Sequence, residues 1–249
     1  MKSFLKILFT VAVITALISF RANGPEKISV YLIGDSTMAQ KQPDKFPETG
    51  WGMALQQFFK DNVEIKNHAV NGRSTKSFIN EGRWLKVVDE LKKGDYVFIQ
   101  FGHNDEKSQD SSRFVNPYSG YRANLTKFVN EAREKGTIPI LLTSVVRRNF
   151  NEFGSLIDTH GAYTEVTRSV AHEMNVPLID MNILTEQLVI SYGPEKSKKL
   201  YMWVKPGDKN YPDGRQDDTH FNNEGAETVA GLAVQEIKKQ NLPLAKFLN

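Results

Sequence analysis

The chain has 249 residues, 40% of them apolar and 24% charged, which suits one large folded domain with a sizeable core. It contains no cysteine, so disulfides, thiolate catalysis and cysteine-ligated zinc are all excluded. The formal net charge of +3 gives little support to a nucleic-acid partner.

The first 22 residues stand apart. Lys2 and Lys6 precede an apolar run from Ile7 to Phe20, and small residues follow at Ala22 and Gly24. That is the pattern of a cleaved signal peptide, with a single domain expected over residues 23–249. A membrane anchor is the alternative, but the run is shorter than the roughly 20 residues that span a bilayer. With no cysteine behind it, lipid anchoring is excluded. Lys2, Lys6 and Arg21 are the only charges in this segment, so 29 of the 32 basic residues remain against 29 acidic ones. The expected mature protein is therefore neutral, periplasmic or secreted, and without stable membrane association.

Further on, strand-like apolar runs at Ile28–Ile33, Val63–Val70, Tyr96–Phe101, Pro139–Val145 and Pro177–Met181 alternate with helical patterns. The helices are expected over Trp51–Lys60, Trp84–Lys93, Gly120–Lys135, Gly161–Met174 and Asn223–Gln240. In the second, Leu85, Val88 and Leu91 share one face, and Lys92-Lys93-Gly94 supplies a stop. Alternation of this kind predicts an α/β fold with a five-stranded parallel sheet covered on both faces. Glu106–Tyr118 and Tyr192–His220 read as irregular. The second of these is long enough to suggest function rather than connection.

The first strand breaks at Gly34-Asp35-Ser36-Thr37. A serine just past the carboxyl end of a parallel strand lies where open α/β sheets place their ligands, which makes Ser36 a candidate nucleophile. The other reading is that Asp35 and Ser36 cap a following helix. The second and third strands also end in polar residues beside glycine, Asn71-Gly72-Arg73-Ser74 and Gly102-His103-Asn104-Asp105. On neighbouring parallel strands, the N–H groups of Ser36 and Gly72 and the amide of Asn104 share one rim and form three donors for an oxyanion. Taken singly, Gly72 and Asn104 are ordinary turn residues.

Five histidines compete to be the base. His68 falls inside a strand and reads as a core or edge residue. His160 and His172 read as surface residues, while His103 lies beside Asn104 and can shape the pocket. His220 follows Asp217-Asp218-Thr219 and precedes a helix start, so an acid three residues earlier can reach Nδ1 and leave Nε2 to face the serine. Asp217 is favoured over Asp218 by that spacing. An Asp-x-x-His pair also occurs as half of a metal site, but no third ligand is suggested. The G-x-S-x-G elbow of α/β-hydrolases is missing.

Together, Gly34-Asp35-Ser36, Gly72, Gly102-x-Asn104-Asp105 and Asp217-x-x-His220 resemble the SGNH (GDSL-type) hydrolases, with the blocks in family order. Asp35-Ser36-Thr37, Asn71-Gly72-Arg73-Ser74, Phe101-Gly102-His103-Asn104-Asp105 and Asp217-Asp218-Thr219-His220 look most like rhamnogalacturonan acetylesterases. The resemblance implies a flavodoxin-like three-layer α/β/α sandwich. It also implies a Ser36–His220–Asp217 triad, an oxyanion hole of Ser36, Gly72 and Asn104, and deacetylation of pectin without cofactor or metal. Other esters of the superfamily (acetyl xylan, a lysophospholipid or a thioester) and a non-catalytic carbohydrate-binding protein are the alternatives.

For the alcohol side of the ester, the stretch from Lys196 to His220 mixes Tyr201, Trp203 and Tyr211 with Lys198, Lys199, Lys205, Lys209 and Arg215. Aromatic faces suit sugar rings and cations suit galacturonate, so Tyr201 and Trp203 join Arg73 and His103 as candidate substrate-binding residues. The same composition also fits a solvated loop pinned down by its aromatics.

Overall fold

A computed structural model describes residues 27–249. The expected signal segment lies outside them. Five parallel strands form the central sheet: β1 (Ile28–Gly34), β2 (Val63–Asn67), β3 (Tyr96–Gln100), β4 (Ile138–Leu142) and β5 (Leu178–Ile179). Their order is β2-β1-β3-β4-β5. That is the flavodoxin-like order, in which the chain reverses direction across the sheet between β1 and β3 and opens a crevice at the carboxyl ends.

Both faces of the sheet are covered because its strands are apolar on both sides. Val30, Leu32, Phe98, Ile140 and Leu142 point into one core with Trp51, Val229, Ala233 and Ile237. The alternate residues Tyr31, Ile33, Val97, Ile99 and Leu141 point into the other, against Phe78, Trp84, Phe128 and Val170. Helices α1 (Thr75–Asn80), α2 (Arg83–Glu90), α3 (Arg122–Glu134) and α4 (Ala162–Glu173) supply the second layer. Helix α6 (Asn223–Lys239) and part of α5 (Met181–Lys196) supply the first. The result is the expected three-layer α/β/α sandwich.

Several elements differ from expectation. Strand β2 ends at Asn67, and His68 lies beyond it, half-buried and stacked on Tyr31 with ring centroids 5.7 Å apart. In α2 the inward face is Trp84, Val87 and Leu91, while Leu85 is 63% exposed. The stretch expected to be helical from Trp51 forms two short 3₁₀ turns, Trp51–Ala54 and Gln56–Phe58. There the chain presses against the turn after β1: a Cβ on Gly50 would lie 2.1 Å from the Ala39 carbonyl oxygen.

The largest departure is in Tyr192–His220. Helix α5 runs into it before breaking at Gly193, and an antiparallel hairpin follows, β6 (Tyr201–Val204) with β7 (Arg215–Phe221). The stripe that α5 buries includes Asn182 and Thr185, while Ile183 and Ile190 face outward, so its apolar spacing carries no helical signal. Strand β7 reads Arg-Gln-Asp-Asp-Thr-His-Phe, polar until its last residue.

Candidate active site

The turn after β1 is closed by Asp35. Its Oδ1 accepts the Thr37 N–H at 2.9 Å and the Thr37 hydroxyl at 2.8 Å. No helix starts there, so Asp35 closes a local turn rather than capping a helix. Burial would raise the Asp35 carboxyl, yet His103 and the two Thr37 donors hold it down at about 2. Beneath the turn, His103 is only 3% exposed, its Nδ1 3.4 Å from Asp35 Oδ2 and its ring edge-on to His160. Burial pushes His103 down to about 4, so it is neutral at physiological pH. At this burial it underlies the Asp35 turn rather than standing open at the surface as a sugar-binding residue would. His160 is also buried rather than on the surface, with Nδ1 3.0 Å from Glu106 Oε2 and Nε2 2.9 Å from the Val145 carbonyl.

On this turn Ser36 faces β7. The register of the hairpin slips where Tyr201 pairs with Phe221 but Met202 pairs with Asp217, so residues 218–220 bulge out of the ladder. The bulge folds Asp217 back onto its own strand. Its Oδ1 accepts the N–H groups of Thr219 at 2.8 Å and His220 at 3.0 Å. Its Oδ2 lies 2.8 Å from His220 Nδ1 and also accepts from Arg215. His220 Nε2 is then 2.8 Å from Ser36 Oγ. Burial would raise the Asp217 carboxyl, but the His220 ring and the two backbone donors hold it well below the usual carboxylate range. Asp218 turns away, accepting the Trp203 indole N–H at 2.7 Å beside the Arg148 guanidinium.

The other two strand ends close on the same point. Past its last ladder residue β2 still follows β1, with the Val70 N–H bonded to the Gly34 carbonyl at 3.0 Å. Gly72 follows with φ +76°, a left-handed backbone that glycine adopts without strain. Asn104, after β3, donates from Nδ2 to the Arg73 carbonyl at 3.1 Å, and its Oδ1 lies 3.4 Å from Arg113. Among the described residues the second Nδ2 hydrogen of Asn104 has no acceptor. Among the described residues the N–H groups of Ser36 and Gly72 donate to no backbone carbonyl or side chain.

Sequence reasoning did not find what holds these loops in register. Lys41 Nζ donates to the Ser36 carbonyl at 2.6 Å and to Asn71 Oδ1 at 2.7 Å, and pairs with Glu48 Oε1 at 2.8 Å. Glu48 Oε2 takes Arg215 at 3.1 Å, and Arg215 in turn grips Asp217. The Lys41 and Glu48 side chains are 1% and 6% exposed, and burial lowers the Lys41 ammonium against the opposing pull of Glu48. One chain of charges thus ties the Ser36 turn, the Gly72 loop and β7 together. Lys41 lies in a stretch with no periodic signal, so only its place in the fold exposes it.

Of the expected sugar-binding residues, Tyr201 is withdrawn. It is 0% exposed, with its hydroxyl on the Val146 carbonyl at 3.1 Å. The half-buried Trp203 ring has Arg148 and Lys198 over it at 5.1 and 4.3 Å from its centroid. Arg73 lies at the rim, held by Glu81 at 3.1 Å. No cluster of three or more His, Asp or Glu side chains able to hold a metal ion occurs among the described residues.

This chain belongs to the GDSL-like lipase/acylhydrolase family, whose model matches residues 32–228. Its class is that of the carboxylic ester hydrolases. Among relatives, it is 44% identical over 222 residues to the rhamnogalacturonan acetylesterase RhgT of Bacillus subtilis, covering 89% of this chain and 94% of that protein. It is 30% identical over 229 residues to the rhamnogalacturonan acetylesterase of Emericella nidulans, covering 84% of each. Among solved structures, that of YxiM from Bacillus subtilis superposes with a TM-score of 0.75 at 28% identity, over 87% of this chain and 58% of that longer one. An acetylxylan esterase of Geobacillus stearothermophilus superposes with a TM-score of 0.60 at 18% identity, over 85% and 94%, a likeness of fold alone.

Proposed function

We propose that this protein is a serine carbohydrate esterase that removes acetyl groups from a plant cell-wall polysaccharide, rhamnogalacturonan above all. The observation that carries the reading is the unbroken line from Asp217 Oδ2 to His220 Nδ1 and from His220 Nε2 to Ser36 Oγ, each 2.8 Å. Ser36 Oγ attacks the acetyl carbonyl carbon while Nε2 takes its proton. The carbonyl oxygen becomes an oxyanion, stabilised by the uncommitted N–H groups of Ser36, Gly72 and Asn104. The oxyanion collapses, the sugar oxygen departs with the proton from Nε2, and an acetyl-Ser36 ester remains. Water, deprotonated by His220, then attacks that ester and releases acetate. Asp217 stays ionised throughout, fixing the ring and stabilising the imidazolium.

The names of the relatives support the substrate, and the expected signal segment supports export to the periplasm or beyond the cell. The test compares acetate release from acetylated rhamnogalacturonan, acetyl xylan and a medium-chain ester by the wild type and Ser36→Ala. The reading predicts fastest release from rhamnogalacturonan and loss of nearly all turnover in Ser36→Ala. Preference for the medium-chain ester would refute the carbohydrate assignment.

A further inference from the structure

Beside Gly72 a cleft of about 500 Å³ opens, with Gly72, Arg73, Lys76, Glu81, Ser112 and Arg113 in its lining. Its size falls within the range of small-ligand sites. Three of these residues are cationic and one is acidic, and the acid is divided. Glu81 Oε2 accepts from Arg73 at 3.1 Å and from Arg83 at 2.5 Å. Lys76 donates only to the Ser111 carbonyl, at 2.7 Å, with no carboxylate beside it among the described residues. Arg113 is paired to Asp110 at 2.6 Å, yet its Nη1 remains 3.4 Å from Asn104 Oδ1 and 3.8 Å from where a Cβ on Gly72 would be. The positive field of the cleft thus begins against two of the three donors assigned to the oxyanion.

We propose that this cleft is a subsite for the carboxylate of a uronic-acid residue in the substrate, with Lys76 and Arg73 as its ligands. The assignment rests on the esterase reading above and moves acid recognition away from the hairpin. Of the hairpin region's cations, Lys198 and Lys199 are paired to Glu195 and Glu224 at 2.8 and 2.6 Å and Arg215 is held by Glu48 and Asp217, while Lys205 and Lys209 are exposed and carry no ion pair among the described residues. A sugar whose acetyl carbonyl lies against Gly72 and Asn104 has the cleft, with Arg73 and Lys76, opening on its Gly72 side. A carboxylate arriving there gains charge-assisted hydrogen bonds from Lys76 and from Arg73, whose position Glu81 fixes beforehand.

The test is calorimetric binding to full-length Ser36→Ala, with a short galacturonate oligomer and the same oligomer methyl-esterified as the two probes. The acid is expected to bind about tenfold tighter than the ester, by the strength of one charge-assisted contact, with the margin narrowing in high salt. Adding Lys76→Met or Arg73→Gln should bring the two affinities together. Both side chains are half-buried, and a thermal melt of each variant checks that the fold is kept. Equal affinities, no binding of either probe, or a margin that survives both substitutions would overturn the proposal. Failure of the wild type to release acetate from any acetyl ester would instead refute the esterase reading, leaving the binding margin to judge the cleft separately.

Discussion

At the scale of single residues, the proposed mechanism divides labour between groups that meet the ester and groups that hold them. In that mechanism Asn104 serves both ends, one Nδ2 hydrogen being given to the Arg73 carbonyl and the other left for the oxyanion. Asn104→Ala should therefore lower kcat by roughly 10² to 10³ while KM for a small acetyl ester changes little, measured by steady-state kinetics. Asp217→Asn should cost roughly 10⁴ in kcat, since the ring would lose the partner that fixes its tautomer. Asp218→Asn, whose carboxylate serves Trp203 and Arg148, should cost far less. The pairing of Asp217 with His220 was legible from a three-residue spacing, but for a partial reason. The spacing works because residues 218–220 bulge from a strand, and nothing in a polar heptad announces a strand. Tyr201 shows the opposite failure: an aromatic in a cationic stretch reads as a sugar platform, whereas this one fills the core.

At the scale of elements, the tie from Asn71 through Lys41, Glu48 and Arg215 to Asp217 connects the loops after β1 and β2 with the hairpin. Lys41→Met removes the partner of a buried carboxylate and strips donors from Ser36 and Asn71. It should destabilise the fold by about 3 kcal/mol, at the lower end for a broken buried pair because Arg215 still serves Glu48, and urea unfolding would measure this. If the tie were only peripheral, the midpoint would hardly move. Helix α2 offers a second check. Val87→Ala should cost roughly 2 kcal/mol, as befits a buried aliphatic side chain, whereas Leu85→Ser should stay within about 0.5 kcal/mol. The three-to-four spacing identified this helix but not its whole inward face: of the stripe Leu85, Val88 and Leu91, Val88 and Leu91 pack on the core, whereas Leu85 is exposed and the stripe of Trp84 and Val87 turns inward instead. Both stripes satisfy the period, and only the packing of Trp84 against Phe128, centroids 5.0 Å apart, decides between them.

At the scale of the molecule, the parallel sheet was the most legible feature, because strands buried on both faces have to be almost continuously apolar. Its order was not, since neighbouring strands are chosen by crossovers that leave no local trace. The same burial carries a cost at the rim. Asp105 is wholly enclosed, with Oδ1 accepting the Thr75 N–H at 2.9 Å and the Thr75 hydroxyl at 2.5 Å. Burial outweighs these donors and pushes its carboxyl up to about 8. In the unfolded chain it ionises near ~3.9, so between these limits the unfolded state binds fewer protons and stability falls as pH rises. Asp105→Asn should abolish that slope. Its stability relative to wild type, from urea unfolding at several pH values, should rise steadily between about pH 4 and pH 8, and a constant difference would show that the carboxyl is ionised in the fold. What the whole architecture achieves is the meeting of four separated segments around one hydroxyl. The most direct test is to react the protein with p-nitrophenyl acetate, quench in acid and map the modified peptide by mass spectrometry. An acetyl group on Ser36, lost in His220→Ala, is the predicted result; acetylation at another residue, or on Ser36 at an undiminished rate without His220, would contradict the account.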